Sequence, residues 1–304
     1  FELVSYASKL AEEMGTAVTA VSIGDVKKEE LQKLGNYGAS KVLKVNQANT
    51  AVLDNRVYSS ILAEAAEKES SKVVLLANNN NGKALAPRLS VKLKAGIGAG
   101  VSKLPLSLDP FTVIKKVYSG NAFAKLVIKS DIKIITLSQN SFDIVEKGGT
   151  ASIENFDAAT TVELQTEVKD IQKQEGKLLL TDAEIVVSGG RGMKSSDNWA
   201  PLEELAEVLG GATACSRPVS DEGWRPHEEH TGQTGKIIAP NLYIAAGISG
   251  ATQHIAGVSS SKYIVAINTD KDAPIFETAQ YGIVGDALKV IPELVTAVKN
   301  AKNK

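Results

Sequence analysis

Three short segments in the second half of the chain place glycines and small polar residues where they could bind a phosphorylated ligand. They are residues 188–192 (Ser-Gly-Gly-Arg-Gly), 231–236 (Thr-Gly-Gln-Thr-Gly-Lys) and 247–254 (Gly-Ile-Ser-Gly-Ala-Thr-Gln-His). Glycine lets the backbone turn tightly and approach a ligand closely. Arg191 lies inside the first turn and could pair with a phosphate group. A plain glycine-rich turn with a surface arginine explains the first segment equally well.

The segment 247–254 directly follows a predicted strand. A helix that begins at Ala251 would direct its free N–H groups beyond the strand end, which favours an anion such as a pyrophosphate. The segment is not a nucleophile elbow, because that motif needs glycine where this chain has Ala251. It also lacks the Gly-x-Gly-x-x-Gly pattern of dinucleotide-binding turns. His254 closes the segment, and the residue type alone favours a buried structural histidine over a ligand contact.

The segment 231–236 resembles half of an ATP-binding phosphate loop. That motif requires a glycine at position 230, where this chain has His230, so a phosphate loop is excluded. What remains is a polar loop of hydroxyl and amide groups, suited to a ring system with several acceptor atoms. Ser216 and Arg217 form a fourth polar cluster, although Arg217 is equally compatible with a surface salt bridge.

The cysteine and the remaining histidines do not predict catalytic or metal chemistry. Cys215 has neither a Cys-x-x-Cys partner nor an adjacent histidine, so we expect a packed residue rather than a nucleophile. His227 and His230 lack the regular ligand spacing of a zinc site, and no cysteine accompanies them. We therefore predict no metal site.

The elements that must position the polar segments form a β-α series. The predicted strands in the second half are residues 183–188, 242–246 and 263–267, and the predicted helices are residues 202–209 and 287–302. In an open parallel α/β sheet, ligands bind beyond the carboxyl ends of the strands. The polar segments follow those ends, so we expect them to meet there.

The first half also alternates between strands and helices, which predicts a second α/β sheet. The predicted helices are residues 1–14, 27–34, 58–69 and 83–94, with Pro87 in the first turn of the last one or kinking it. The predicted strands are residues 16–23, 41–45, 72–77, 112–119, 122–128, 133–137 and 162–168. Residues 112–119 and 122–128 are expected to form a hairpin. Residues 78–82 and 141–160 are expected to be loops.

A charged, glutamine-rich stretch at residues 170–177 predicts a domain boundary. We expect an N-terminal α/β domain at residues 1–175 and a C-terminal domain at residues 176–304. The first helix has no strand before it in this sequence, so we expect that a preceding strand is missing.

Composition excludes several classes of protein. The 304 residues carry 23% charged and 43% apolar residues with a net charge of −1, which is typical of a globular protein. Lysine and arginine are spread along the chain, so no nucleic-acid-binding stripe is predicted. No stretch approaches the roughly 18 apolar residues that a membrane span needs, so membrane insertion is not predicted. One cysteine cannot form an internal disulfide, which favours a reducing compartment.

Taken together, four ordered blocks resemble the FAD domain of electron-transfer flavoprotein α subunits. They are VVSGGRGMKS, SRPVSDEGW, TGQTGKIIAPNLYIAAGISGATQHIAGVSSSKYIVAINTD and APIFETAQYGIVGDALKVIPEL, and they run from about residue 185 to 290. The first half is similar to the family at GKALAPRL and YSGNAFA. The resemblance implies a nucleotide-α-hydrolase-like N-terminal domain with extra strands, which contacts the β subunit. It implies a Rossmann-like, parallel-sheet FAD domain at the C-terminus.

The same resemblance implies the cofactor-binding residues. They are Arg191, Ser216, Arg217, Thr231, Gly232, Gln233, Thr234, Ser249, Gly250, Ala251, Thr252, Gln253, His254, Asn268 and Asp286. Arg217 is expected near the reactive edge of the flavin, Thr234 is expected to donate to N5, and His254 is expected near the pyrimidine carbonyl. These three would tune the redox potential. Residues 249–254 are expected to wrap the ribityl chain and pyrophosphate, with Asn268 and Asp286 on the adenosine half.

The family further implies an electron carrier without substrate turnover of its own. Its cofactor is FAD, and AMP or a second FAD is expected in the β subunit. Acyl-CoA dehydrogenases and related flavoenzymes, which serve fatty acid β-oxidation, are the expected donors, and a membrane quinone oxidoreductase is the expected acceptor. A bacterial cytoplasmic location is favoured because no presequence remnant is visible, with the mitochondrial matrix the alternative for a eukaryotic chain. An NAD(P)-dependent oxidoreductase and a non-redox nucleotide-binding module remain as alternatives.

Overall fold

The computed structural model describes residues 1–47, 50, 52–120, 122–159, 164, 167–170 and 178–302. The chain forms two compact units. Unit 1 comprises residues 1–117 and 121–171, and unit 2 comprises residues 118–120 and 172–304. The predicted boundary between 175 and 176 lies outside the described residues, as does most of the predicted strand at 162–168. None of the helices in the described ranges is long and apolar enough to cross a membrane.

Unit 1 is a mixed α/β structure. Its helices are α1 (Glu2–Met14), α2 (Lys28–Gln32), α3 (Asn55–Lys68) and α4 (Asn80–Leu93). Its strands are β1 (Thr19–Ile23), β2 (Lys41–Val45), β3 (Val73–Ala77), β4 (Gly96–Val101), β5 (Ser107–Leu108), β6 (Phe111–Val117), β7 (Ala122–Val127), β8 (Lys133–Leu137) and β9 (Ser152–Asn155). One parallel sheet has the order β1-β2-β9, and a mixed sheet has the order β3-β8-β4-β6-β5 with β7 paired to β6. The antiparallel pairing of β6 with β7 confirms the predicted hairpin.

Two predicted loops in this unit contain regular structure, and one strand, β4, was not predicted. Residues 80–82 belong to α4 rather than to a loop, because the Asn79 side chain caps the helix by accepting the Gly82 N–H at 2.9 Å. Pro87 therefore lies in the helix interior, which leaves the kink as the remaining one of the two predicted alternatives. The predicted loop at 141–160 contains β9, which pairs in parallel with β2. Strand β4 is rich in glycine, which weakens the sequence signal for a strand.

Unit 2 is built on a parallel sheet. Its strands are β10 (Ile185–Gly189), β11 (Ala212–Cys215), β12 (Leu242–Ala246), β13 (Tyr263–Asn268) and β14 (Tyr281–Val284). Its helices are α5 (Ala200–Leu209), α6 (Arg217–Asp221), α7 (Thr252–Val258), α8 (Ile275–Thr278) and α9 (Ala287–Lys302). The strand order is β11-β10-β12-β13-β14, and every pair runs parallel. The predicted α/β class with a parallel-sheet C-terminal domain is confirmed.

Helices α5 and α9 cover one face of this sheet. Leu202 and Leu205 of α5 and Ile291 of α9 are fully buried in one cluster with Val187 of β10 and Ile267 of β13. Their spacing places them on the inner stripe of each helix. This cluster fixes the sheet whose strand ends carry the polar segments.

Replacing Leu205 by alanine tests that cluster. Its side chain is 0% exposed, so Leu205→Ala should lower the free energy of unfolding of unit 2 by about 2–5 kcal/mol. Both tryptophans, Trp199 and Trp224, lie in unit 2, so tryptophan fluorescence during urea unfolding reports this unit. The matched control is Ile237→Ala, at a residue 57% exposed, which should change stability by less than about 0.5 kcal/mol. Equal effects of the two substitutions would contradict the assigned core.

Candidate functional site

A cavity of about 460 Å³ lies beyond the carboxyl ends of β10, β11, β12 and β13. Its lining residues are Arg191, Gly192, Ser216, Arg217, Pro218, His230, Thr231, Gly232, Gln233, Thr234, Gly247, Ile248, Ser249, Gly250, Ala251, Gln253, His254 and Asn268. The predicted polar segments therefore meet at one edge of the sheet. Of the predicted site residues, Thr252 and Asp286 are the two that do not line the cavity.

Backbone contacts between glycines hold the first and third segments together. The Gly190 N–H donates to the Ala246 carbonyl at 2.9 Å, and the Gly192 N–H donates to the Gly247 carbonyl at 3.0 Å. A Cβ on Gly190 would lie 2.3 Å from the Gly247 oxygen, so no side chain fits there. Gly247 has a φ of +63°, which a non-glycine residue rarely adopts. This contact fixes Arg191 at the rim of the cavity.

The loop at residues 231–234 is fastened between the end of β11 and α7. The Thr231 N–H donates to the Cys215 carbonyl at 3.0 Å, and the Gln233 N–H donates to the Gln253 carbonyl at 2.7 Å. A Cβ on Gly257 of α7 would lie 2.4 Å from the Gly232 Cα. The helix therefore packs directly against the loop backbone, and the loop has little freedom to move away from the cavity.

Burial divides the cavity into a floor and a mouth. Ser216, His230, Thr231 and His254 are buried and form the polar floor. The lining residues exposed at the mouth include Arg191, Arg217, Gln233, Thr234, Ser249, Ala251 and Gln253. A ligand bound here would be shielded from water on one side and accessible from the other.

His254 is the most distinctive polar group of the floor. His254 is only 7% exposed, and its Nε2 lies 2.8 Å from the Tyr243 hydroxyl. Its Nδ1 is buried without a hydrogen-bond partner of normal geometry. Burial lowers the pKa of His254 to about 4, helped by the neighbouring His230 and opposed by the Thr231 backbone. The imidazole is therefore neutral at pH 7 and leaves one ring nitrogen available to a ligand.

Arg217 begins α6 at the mouth of the cavity. Its side chain is 65% exposed, and its Nε donates to the Asp221 carboxylate at 3.3 Å. The surface salt bridge considered from the sequence is thus present, on a residue that also lines the cavity. An ion pair this exposed contributes little to stability, so it does not prevent the guanidinium from contacting a ligand.

Helix α7 begins one residue after the predicted Ala251. Ala251 takes the N-cap position, and its carbonyl accepts the His254 N–H at 2.8 Å. The first N–H groups of a helix have no intrahelical acceptor. Thr252 and Gln253 therefore present such groups beside the loop 249–251, which lines the cavity.

The two residues predicted on the adenosine half have different surroundings. Asn268 lines the cavity and donates its side-chain amide to the Ile248 carbonyl at 2.9 Å. Asp286 instead caps α9, where its carboxylate accepts the Leu288 N–H at 3.0 Å and pairs with Lys194 at 3.1 Å. Lys194 holds the pKa of Asp286 below its usual range. The adenosine contact of Asp286 stays a prediction.

The expectation that Cys215 is a packed residue is confirmed. It is fully buried in the core, and burial raises the pKa of its thiol to about 12. The rings of His227 and His230 lie 5.4 Å apart. In the part of the chain that the structure describes, no group of three or more His, Cys, Asp or Glu side chains is arranged to hold a metal ion.

Sequence reasoning missed several residues of the site. His230 and Pro218 line the cavity, and the Tyr243 hydroxyl lies 2.8 Å from His254 Nε2. Tyr243 is a buried residue of β12. An aromatic residue in a predicted strand suggests packing in the core and does not suggest a hydrogen bond to a residue of the site. His230 could have been found from the sequence, because it directly precedes the predicted ligand loop at 231–236. In the structure an isolated β-bridge joins Thr231 to Lys236 within that loop.

Comparison with known proteins matches both parts of the chain to one family. The model of the electron transfer flavoprotein domain matches residues 1–161, and that of the electron transfer flavoprotein FAD-binding domain matches residues 179–259. The electron transfer flavoprotein subunit alpha of Syntrophomonas wolfei is 38% identical over 301 residues, which cover 98% of this chain and 94% of that protein. The subunit alpha of Bacillus subtilis is 37% identical over 285 residues, covering 93% and 87%.

A relative from Caenorhabditis elegans is named a probable mitochondrial electron transfer flavoprotein subunit alpha. It is 38% identical over 301 residues, which cover 97% of this chain and 87% of that protein. The similarity spans both units rather than the cavity loops alone. The lining residues of the cavity lie within the match to the FAD-binding domain, with the exception of Asn268. The chain therefore belongs to the family of electron transfer flavoprotein alpha subunits.

Proposed function

We propose that this chain binds FAD in the cavity at the strand ends and carries electrons between other flavoproteins, as one subunit of a heterodimer. The observation that carries the proposal is the buried His254, which lines the cavity and whose Nδ1 has no hydrogen-bond partner of normal geometry. A buried polar atom without a partner indicates a missing ligand atom. Bound FAD would supply the ability to accept and release electrons one or two at a time.

The residues present suit such a cofactor. The glycine contacts leave space and backbone groups beside Gly192, Gly247 and Gly232, where side chains would collide with neighbouring loops. The hydroxyls of Thr231, Thr234 and Ser216 and the amide of Gln233 offer hydrogen bonds to a ring with several heteroatoms. His254 would hold a ring carbonyl on the floor while the mouth leaves one edge of the ring accessible for electron exchange.

Two arginines give the mouth of the cavity a positive charge. Arg191 and Arg217 are both exposed there. A reduced flavin ring carries negative charge, which a nearby guanidinium stabilises. We therefore assign to Arg217 the role of raising the first reduction potential, with Thr234 and His254 as further groups that tune it.

The loop 249–251 and the start of α7 are the proposed pyrophosphate site. Ser249 supplies a hydroxyl, and the N–H groups of Gly250 and of the first α7 residues supply backbone donors. Asn268 lies next to this loop and holds it through the Ile248 carbonyl. On this arrangement the adenosine half extends towards Asn268, with Asp286 the predicted contact beyond it.

The proposal makes the chain a carrier rather than an enzyme. The thiol of Cys215 is enclosed in the core and protonated, so it is not available as a nucleophile. Relatives with matching sequences are named electron transfer flavoproteins. We propose that acyl-CoA dehydrogenases and related flavoenzymes donate the electrons and that a membrane quinone oxidoreductase accepts them.

The N-terminal part, residues 1–175, is the proposed contact for the β subunit. That partner is proposed to hold AMP or a second FAD. We place the complex in the bacterial cytoplasm, or in the mitochondrial matrix if the chain is eukaryotic.

An NAD(P)-dependent oxidoreductase finds less support. The strand-to-helix turns after β10 and β12 do not carry a Gly-x-Gly-x-x-Gly pattern followed by an acidic residue about 20 positions on. A non-redox nucleotide module could use the same arginines to bind phosphate, so the nature of the bound cofactor is what distinguishes it from the carrier. FAD binding separates the three alternatives directly.

The first prediction concerns the bound cofactor. The chain co-purified with a candidate β subunit should show the absorption spectrum of a flavin, and the released cofactor should be FAD by mass. Adding a reduced acyl-CoA dehydrogenase should bleach that spectrum. A complex that retains AMP, ATP or a nicotinamide in place of FAD would rule out the carrier assignment.

The second prediction concerns Arg217. Arg217→Ala should lower the first one-electron reduction potential by about 60 mV, equivalent to a tenfold change in equilibrium, because a positive charge near the reduced ring is lost. The fold should persist, since the Asp221 ion pair is exposed. Lys289→Ala is the matched control: it removes one positive charge from the same unit at a residue that does not line the cavity. If both variants shift the potential equally in a spectroelectrochemical titration, Arg217 has no specific role.

A further inference from the structure

We propose that Tyr243 is a positioning residue that fixes the tautomer of His254, so that Nδ1 presents a proton rather than a lone pair to the cavity. The effect of this tautomer on FAD binding rests on the proposed function. The tautomer itself does not, because it is a property of the chain without any ligand. Tyr243 does not line the cavity, and we infer that it acts through His254.

The geometry brings the two side chains together in a protected place. Tyr243 is 0% exposed in β12, and its hydroxyl lies 2.8 Å from His254 Nε2. The two ring centroids are 6.1 Å apart, with an angle of 47° between the ring planes. Tyr243 pairs in register with Val186 and Ile264 on the neighbouring strands. The phenol is therefore anchored in the middle of the sheet, while His254 lies on the short helix α7.

The direction of the hydrogen bond follows from the surroundings of the phenol. Burial raises the pKa of Tyr243 far above its usual range, so the hydroxyl keeps its proton. The Thr231 hydroxyl donates to the Cys215 carbonyl at 3.2 Å, and the Ser188 hydroxyl makes no hydrogen bond of normal geometry. The hydrogen bond of normal geometry at the Tyr243 hydroxyl is therefore the one with Nε2. A protonated phenol is a good donor, and a neutral imidazole nitrogen without a proton is a good acceptor. Tyr243 therefore donates to Nε2.

The consequence falls on the other ring nitrogen. A neutral imidazole carries one proton, and the hydrogen bond made by one nitrogen determines which of the two is protonated. With Nε2 as acceptor, the proton lies on Nδ1, which is buried and has no protein partner of normal geometry. The floor of the cavity then offers a hydrogen-bond donor. It selects a ligand that places a carbonyl or an anionic atom there and disfavours one that places a donor there.

Removing the hydroxyl of Tyr243 would release this constraint. The imidazole could then move its proton to Nε2 and turn a lone pair towards the cavity. A lone pair facing a carbonyl oxygen leaves two acceptors opposed and buried, which costs as much as an unmade hydrogen bond or more.

The test uses the full chain labelled with ¹⁵N at histidine. The chain contains three histidines, so His227→Gln and His254→Gln variants assign the signals. Long-range ¹H–¹⁵N correlation spectra at pH 7.5, without cofactor, should show the Nδ1–H form for His254 in the wild type. In Tyr243→Phe the signal should change to the Nε2–H form. An Nε2–H form in the wild type, or an Nδ1–H form that survives in the variant, overturns the proposal.

Tyr6→Phe is the matched control. Tyr6 is also fully buried, and its hydroxyl donates to the Lys103 carbonyl at 3.1 Å in unit 1. The control removes a buried hydroxyl and a hydrogen bond without touching His254, so the tautomer should stay as Nδ1–H. A change of tautomer in this control would show that general loosening, not Tyr243, is responsible.

A double-mutant cycle connects the tautomer to the cofactor. Tyr243→Phe should weaken FAD binding by roughly tenfold in the wild-type background and have no further effect in the His254→Gln background. Additive effects would overturn the positioning role. If the chain with its partner subunit binds no FAD at all, the proposed function fails, while the wild-type tautomer still decides the assignment for Tyr243. If Tyr243→Phe does not fold, the wild-type spectrum still tests the proposal, because an Nε2–H form of His254 there would overturn it.

Discussion

The close approach of backbone to backbone at the glycines is the constraint on which the cavity depends. Gly190 and Gly192 lie against Gly247, and Gly257 lies against Gly232. Each contact excludes a side chain, so each brings two backbone segments nearer than ordinary packing allows. The first pair joins the loops that follow the neighbouring strands β10 and β12, and the second holds the loop at Gly232 against α7. Together these contacts form one floor at the strand ends. The polar side chains of the floor keep their positions because the loops beneath them cannot separate.

The floor of the cavity carries neutral polar groups, whereas its mouth carries positive charge. At the floor, burial keeps His254 neutral and turns it into a directional hydrogen-bonding group rather than a charge. At the mouth, Arg191 and Arg217 remain hydrated and charged. In a redox cofactor bound between them, His254 would fix the orientation of the ring, and the arginines would shift its reduction potential. This division suits a carrier, because it fixes the cofactor without enclosing the edge through which electrons must pass.

Much of the site could be predicted from the sequence, and the failures have physical reasons. Residues 190–192 and 247–251 directly follow β10 and β12, so they had to converge because parallel strands end at one edge. The loop 231–234 follows no strand, and the hydrogen bond from the Thr231 N–H to the Cys215 carbonyl brings it to the same edge. Strand β11 was missed because Ala212–Cys215 is short and has one β-branched residue. Strand β14 was missed because it is short, includes Gly282 and is exposed along its length. The contact between Tyr243 and His254 joins a core position of a strand to a helix, and neither pattern of residues specifies where a hydroxyl points.

The order of strands in unit 2 has a consequence for synthesis of the protein. Strand β10 is made first within this sheet yet lies inside it, between β11 and β12. One edge of β10 stays unpaired until β12 has been synthesised, and β12 begins 53 positions after the end of β10 (Gly189 to Leu242). Helix α9 then supplies Ile291 and Val295 to the same apolar cluster. During synthesis, β10 therefore has an unpaired edge until β12 has been made, and an unpaired strand edge is prone to aggregation.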